Sequence, residues 1–210
     1  MQAPPPPLLP LLRSRLQAEL LTLVLLSPGR EWTLTELASR VGASVATAQR
    51  EVARAEQTGV ISTRRLGNVR LVTAADSPLT NPLTELLLRS FGPRQVISEE
   101  FGKIQRIKAA YLYGPWAARY LGQEGPTPNS IDVLIIGNPN GAAVDAASHR
   151  ASARLARDVH VTIKSRRWWE SADDQMHRDV SSQPMVPVTE GAARRGPSDA
   201  GQPTRDRAAS

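Results

Sequence analysis

The clearest pattern of apolar and polar positions lies between Arg30 and Val72. Leu34, Leu37, Ala38 and Val41 recur at three- and four-residue spacing, which predicts a short helix with one buried face. Thr33 or Thr35 can cap its start, because a hydroxyl there accepts one of the unpaired backbone N–H groups. Gly42 follows Val41 and ends the helix. Ser44 caps a second helix that runs to about Thr58, where Gly59 stops it. Val60 and Ile61 open a strand, and Leu66-Gly67-Asn68 is a turn between Arg64-Arg65 and Arg70-Leu71-Val72. Upstream, Leu11 to Leu26 reads as a helix that is apolar on most sides, closed by Ser27-Pro28-Gly29. Such a helix suits packing inside its own domain and against a second subunit.

The second half alternates strands and helices. Pro, Asp, Ser and Asn between Ala74 and Pro82 predict a linker. Leu83 to Phe91 reads as a connecting helix, broken by Gly92-Pro93, and Gln95 to Ile107 as a further helical stretch. Ala109 to Tyr113 is a buried strand, Trp116 to Leu121 a short helix, and Ile131 to Ile136 a strong strand closed by Gly137-Asn138-Pro139. Ala142 to Arg157 is an alanine-rich helix, Val159 to Ile163 a third strand, and Ser165 caps a last helix over RRWWESADD. This order predicts an α/β unit with a small sheet. The first ten residues are proline-rich and extended. From Thr189 the chain lacks large apolar residues, which predicts a disordered tail.

Helix, turn, helix and basic hairpin outline a winged helix-turn-helix DNA reader. The stretch LASRVGASVATAQREVARAEQTGVIS, with its ASxAT segment and the glycine-led start of the wing, resembles the DNA-binding core of bacterial ArsR-type regulators. The resemblance covers about a third of the chain. It implies that the helix from Ser44 is the recognition helix, with Ala48, Val52 and Ala55 facing inward and Val45, Thr47, Gln49 and Arg50 facing the groove. Gln49 then suits an adenine edge, Arg50 a guanine edge or a phosphate, and Thr47 a phosphate or a thymine methyl. The wing arginines Arg64, Arg65 and Arg70 would grip the backbone or a minor groove.

YLYGPWAARYLGQEGPTPNSIDVLIIG resembles the core of the minimal nucleotidyltransferase fold. That family carries a strand, a Gly-Ser turn opening a helix, a loop, Asp-x-Asp on the next strand and a third carboxylate on a later one. The carboxylates hold divalent metals that bridge nucleotide phosphates and activate a hydroxyl. The turn offers backbone N–H groups to the phosphates. Here Gly114 matches, but Pro115 stands where the serine belongs and has no N–H to give. Ser130 replaces the first aspartate and Asp132 alone remains. The third strand offers His160 and Thr162, with Asp158 at its edge and expected to point elsewhere. These four positions, Gly114, Pro115, Ser130 and Asp132, read as a vestigial nucleotide site without catalytic residues. Trp116, Arg119 and Tyr120 would rim it, while Trp168-Trp169 suits either a ligand base or the core.

The fold class expected is therefore an α+β N-terminal winged helix-turn-helix domain followed by a small α/β nucleotidyltransferase-like domain. Its divisions are a proline-rich start (1–10), the winged domain (11–73), a linker with connecting helices (74–107), the nucleotidyltransferase-like domain (108–188) and the tail (189–210). A net charge of +6 favours a polyanionic partner. Residues 1–75 hold nine arginines against five glutamates, while the whole chain has three lysines. Without cysteine there is no disulfide, thiolate metal site or cysteine nucleophile, and three scattered histidines suggest no metal site. No cofactor is expected. Leu16 to Leu26 is too short and polar to span a bilayer, and the start has no basic region or cleavage site. The reading is a cytoplasmic transcriptional regulator whose partner is double-stranded DNA, acting as a homodimer, with a small-molecule or nucleotide effector left open. The competing readings are a metal-dependent nucleotidyltransferase with a winged substrate-binding domain, and an antitoxin-like partner protein.

Overall fold

The computed structural model describes residues 12–171 and 174–188; the proline-rich start and the tail expected from Thr189 lie outside them. The first part runs α1 (Arg15–Leu25), β1 (Trp32–Thr33), α2 (Leu34–Arg40), α3 (Val45–Gln57), β2 (Ile61–Leu66) and β3 (Val69–Ala74). β1, β3 and β2 form a three-stranded antiparallel sheet in that order. Ser14 accepts a hydrogen bond from the Gln17 backbone, so α1 starts later than the apolar run that begins at Leu11. Two residues, Gly67 and Asn68, make the wing turn, because Leu66 already pairs with Val69.

α4 (Thr80–Phe91) and α5 (Pro93–Phe101) follow. α4 begins three residues before the expected Leu83, since Pro82 lies in its first turn, where a missing N–H costs nothing. α5 is displaced from the expected 95–107. Pro93 opens it, Gly102 caps it, and Ile107 is already strand. The last part is β4 (Ile107–Tyr113), α6 (Pro115–Tyr120), β5 (Ser130–Gly137), α7 (Gly141–Leu155), β6 (Asp158–Lys164), α8 (Arg166–Ser171), α9 (Gln175–Ser181) and β7 (Met185–Pro187). Its sheet order is β6-β5-β4-β7, with β5 and β6 parallel and the other pairs antiparallel. The alanine-rich helix ends at Leu155 instead of Arg157, because Ala156 turns left-handed at φ 52.

Two cores result. Leu20, Val24, Trp32, Leu37, Val52, Ile61, Val72 and Leu87 are among the residues that fill the first. The second packs one sheet face, with Ile131, Val133 and Ile135, under α5, α6 and α7. The connecting helices are part of both: on α4, Leu87 enters the first core and Leu88 the second. Leu26, at the end of α1, also belongs to the second core. The other sheet face carries Tyr111, Leu134 and Ile136 and is covered from α8 and α9.

Charge ties the parts together. Arg154 on α7 bonds Glu99 at 2.8 Å, Glu100 at 2.9 Å and Glu19 of α1 at 3.4 Å. Arg15 joins Glu19 and Glu99, and Arg150 joins Glu100. Burial pushes the Glu99 carboxyl upward, but hydrogen bonds from Gln95, Arg154 and Arg15 outweigh it and hold the group below its ordinary 4.5. Glu100 is lowered in the same way, against burial, by Arg150 and Arg154.

Arg154→Met keeps an unbranched apolar stem and removes the shared cation. It should lower stability by about 1–3 kcal/mol, since three part-buried carboxylates lose a shared cation while each keeps one other arginine, Arg15 or Arg150. Because the carboxyl pKa values are depressed on folding, their contribution is complete above pH 4.5 and lost as pH falls below it. Urea midpoints followed from pH 7 to 3 should fall steeply for the wild type and less steeply for Arg154→Met. Parallel curves would show that the network adds nothing.

Candidate nucleic-acid interface

The interface is built on α2 and α3. Thr33 Oγ1 accepts from the Glu36 backbone at 3.1 Å, and Glu36 Oε2 accepts from the Thr33 backbone at 2.8 Å. This reciprocal capping box fixes the start of α2. The bond from Thr33 also holds the Glu36 carboxyl below its usual range. After Arg40, Gly42 takes φ 65, a conformation that suits glycine and turns the chain toward Ser44. Ser44 Oγ then accepts from Thr47 N at 3.2 Å and caps α3.

Ala48, Val52 and Ala55 are buried on the inner face of α3. Val45, Gln49 and Arg50 are exposed, and Thr47 is half-buried. Ser44, Thr47 and Arg50 form one chain: the two hydroxyls lie 2.9 Å apart, and Arg50 Nη2 donates to Thr47 Oγ1 at 3.1 Å. Thr47 therefore steers Arg50 in the free protein. Gln49 makes no side-chain hydrogen bond among the described residues.

The wing arginines divide. Arg65 and Arg70 are cross-strand partners and share the sheet face that meets α3. Arg70 is drawn back to Glu56 of α3 at 2.6 Å and to Thr63 at 3.1 Å. Arg64 lies on the opposite face and makes two bonds to Glu31, at 2.5 and 2.7 Å. Its charge and hydrogen bonds lower the Glu31 carboxyl. Arg65 alone of the three has no partner among the described residues. The arginine spacing gave no sign of this, because the carboxylates that hold Arg64 and Arg70 come from residues far away in sequence. Glu51 was also illegible: it is buried on α3, paired to Arg54 at 2.9 Å and Arg13 at 3.2 Å, with Oε2 unpartnered.

The second set of candidate residues lies at the end of β4. Gly114, at φ 71, donates its N–H to Pro184 at 2.9 Å, and Pro115 opens α6. Beside them is a cleft of about 430 Å³, whose walls include Arg119, Gln123 and Gln183. Asp132 pairs across the sheet with Tyr113 and His160, and its Oδ1 lies 3.6 Å from His160 Nδ1. Asp158 does not point elsewhere: the parallel register sets it opposite Ser130, on the same face as Asp132 and His160. Even so, among the described residues no group of three or more His, Asp or Glu side chains is placed to hold a metal.

Two expected rim residues belong to the core instead. Trp116 is buried, and so is Tyr120, whose hydroxyl donates to Leu88 O at 2.9 Å and accepts from Arg94 N at 3.0 Å. Burial drives the Tyr120 pKa upward. Arg119 alone of the three borders the cleft. Trp169 stacks on Tyr111 at 5.4 Å, and Trp168 Nε1 donates to Asp174 at 2.5 Å. Both tryptophans thus cover the second sheet face.

Among the described residues no helix is long and apolar enough to cross a membrane. No family model matches the chain, and no curated protein matches it. Among solved structures, reduced HlyU from Vibrio cholerae N16961 is similar over 34% of this chain and 74% of its own, at 24% identity and a TM-score of 0.30.

Proposed function

We propose that this protein is a sequence-specific, duplex-DNA-binding transcriptional regulator that works as a homodimer. The observation that carries this is α3: its inner face is buried on Ala48, Val52 and Ala55, while Val45, Gln49 and Arg50 are exposed beside a wing that offers Arg65. A capped helix with an amide and a guanidinium exposed on one face suits the major groove, where both side chains find base edges. One such helix reads few base pairs, so a two-fold pair reading a palindrome is the natural assembly.

The region from β4 to β7 then serves dimerisation or effector sensing without transfer chemistry. Strand, glycine-led helix, strand, helix and parallel strand occur in the order that the nucleotidyltransferase resemblance implies, and this keeps the enzyme as the second reading. Against it stand Ser130 and Pro115, together with an Asp132 whose near neighbour is a histidine. Asp158 shares the sheet face of Asp132, but among the described residues no third carboxylate or histidine joins them in a group placed to hold a metal, and two hard cations need more oxygen ligands than that.

Arg50→Ala should cost about 1–3 kcal/mol on the preferred duplex and relax its sequence preference. Arg65→Ala should weaken all duplexes alike and reduce the salt slope by about 1. Arg64→Ala should matter less, because a phosphate must compete with Glu31 for that guanidinium. Fluorescence anisotropy across a salt series checks all three; absence of wild-type affinity for any duplex at low salt would refute the proposal.

Labelled ATP, CTP, GTP or UTP with magnesium or manganese should leave no label on tRNA or protein. Transfer that Asp132→Ala abolishes would install the enzyme reading instead.

A further inference from the structure

Between α5 and β4 the backbone does two uncommon things in succession. Arg106 sits at φ 66, in the left-handed region that side chains with a Cβ adopt at a cost. Two residues later the β4–β5 register slips: Ile107 pairs with Gly137 and Ala109 with Ile136, which leaves Lys108 as a bulge. A bulge re-aims the side chain of the extra residue.

The surroundings lock this backbone. Arg106 O accepts from Asn138 N at 3.2 Å, and a Cβ on Gly137 would lie 2.2 Å from that same oxygen. Only glycine permits so close an approach. Three residues past Asn138, α7 begins, and its first turn carries no acid. The segment bonded to the turn through Asn138 thus leads into the positive end of a 15-residue helix.

Both irregularities fall on cations. Lys103, Arg106 and Lys108 are exposed, and none has an ion pair or side-chain hydrogen bond among the described residues. Elsewhere this chain pairs its arginines freely with Glu19, Glu31, Glu56, Glu99 and Glu100. Lys103 follows the end of α5, where a cation suits the helix carbonyls. Neither Arg106 nor Lys108 has such a duty, and strain kept at an unpaired charge points to use.

We infer that Lys103, Arg106 and Lys108 form a second phosphate-binding surface, which holds the backbone of the nucleic acid beyond the part read by α3 and the wing. The partner class follows from what the turn lacks. Ile104 and Ile107 are packed against the second core, and Gln105 is the other exposed side chain between Lys103 and Lys108. A protein interface wants a dry apolar centre, and a membrane surface wants apolar side chains to insert. A phosphodiester backbone needs cations alone. The choice of duplex DNA rests on the winged-helix reading; the three free cations do not.

The test uses the full chain and two variants: Lys103→Gln/Arg106→Gly/Lys108→Gln, and Lys103→Gln/Lys108→Gln, which leaves the left-handed residue alone. Glycine relieves the strain at position 106, so the triple variant should melt no lower than the wild type. Anisotropy on a long random duplex should show the salt slope falling by about 2–3 for the triple variant and about 2 for the double. Arg50→Ala, measured beside them, should lose site preference and keep the turn's share of the slope. An unchanged slope in both turn variants, with wild-type binding intact, overturns this inference and spares the winged reading. Loss in the turn variants with no effect of Arg50→Ala supports the turn and sinks that reading. No wild-type duplex binding overturns both. Vesicles of phosphatidylserine and phosphatidylcholine form the last arm: loss there alone, without a change on DNA, also overturns the inference.

Discussion

Leu87 and Leu88 are neighbours on α4 and belong to different hydrophobic cores. Each is fully buried, which is worth roughly 2–3 kcal/mol apiece. A helix that spends adjacent side chains on two cores cannot act as a loose linker. Arginines reinforce the junction. Arg40, in the last turn of α2, donates to Ala153 O near the end of α7 at 2.8 Å. Arg157 donates to Leu26 O at 2.5 Å, Ser27 Oγ at 3.1 Å and Pro128 O at 3.1 Å. Burial, with Arg30 and Arg119 nearby, pushes its pKa down to about 10. α2, just ahead of α3, is thus bonded directly to the second region.

Local signals made the first region legible. Thr33, Gly42, Ser44 and Gly59 each do a local job that needs no knowledge of the rest of the chain, and each sits where the structure uses it. Long-range partners were not legible. Nothing near Arg64 or Arg70 in sequence announces Glu31 or Glu56. β1, α9 and β7 escaped notice because two or three residues, or seven with only Met176 and Val180 apolar, carry no period to detect. The 95–107 stretch read as one helix because Val96, Ile97, Phe101 and Ile104 keep helical spacing. Gly102 and the left-handed Arg106 end that helix before the spacing does.

Counting arginines therefore overstates the charge available to a partner. Arg64 and Arg70 are held by carboxylates, and Arg154 is shared among three. Among the described residues the cations without a side-chain partner include Arg65 on the wing, Arg167 on α8 and the three at the α5–β4 turn. On this account salt dependence reports unpaired groups, not net charge, and the groups that set affinity differ from those that set sequence preference.

The measurement that bears most directly on the central claim is selection of bound duplexes from a random pool with the full chain, followed by hydroxyl-radical footprinting of the winners. Duplex reading by a two-fold pair of α3 helices gives enrichment of a palindrome, with two protected half-sites one helical turn apart. A pool that stays random after repeated rounds would contradict it.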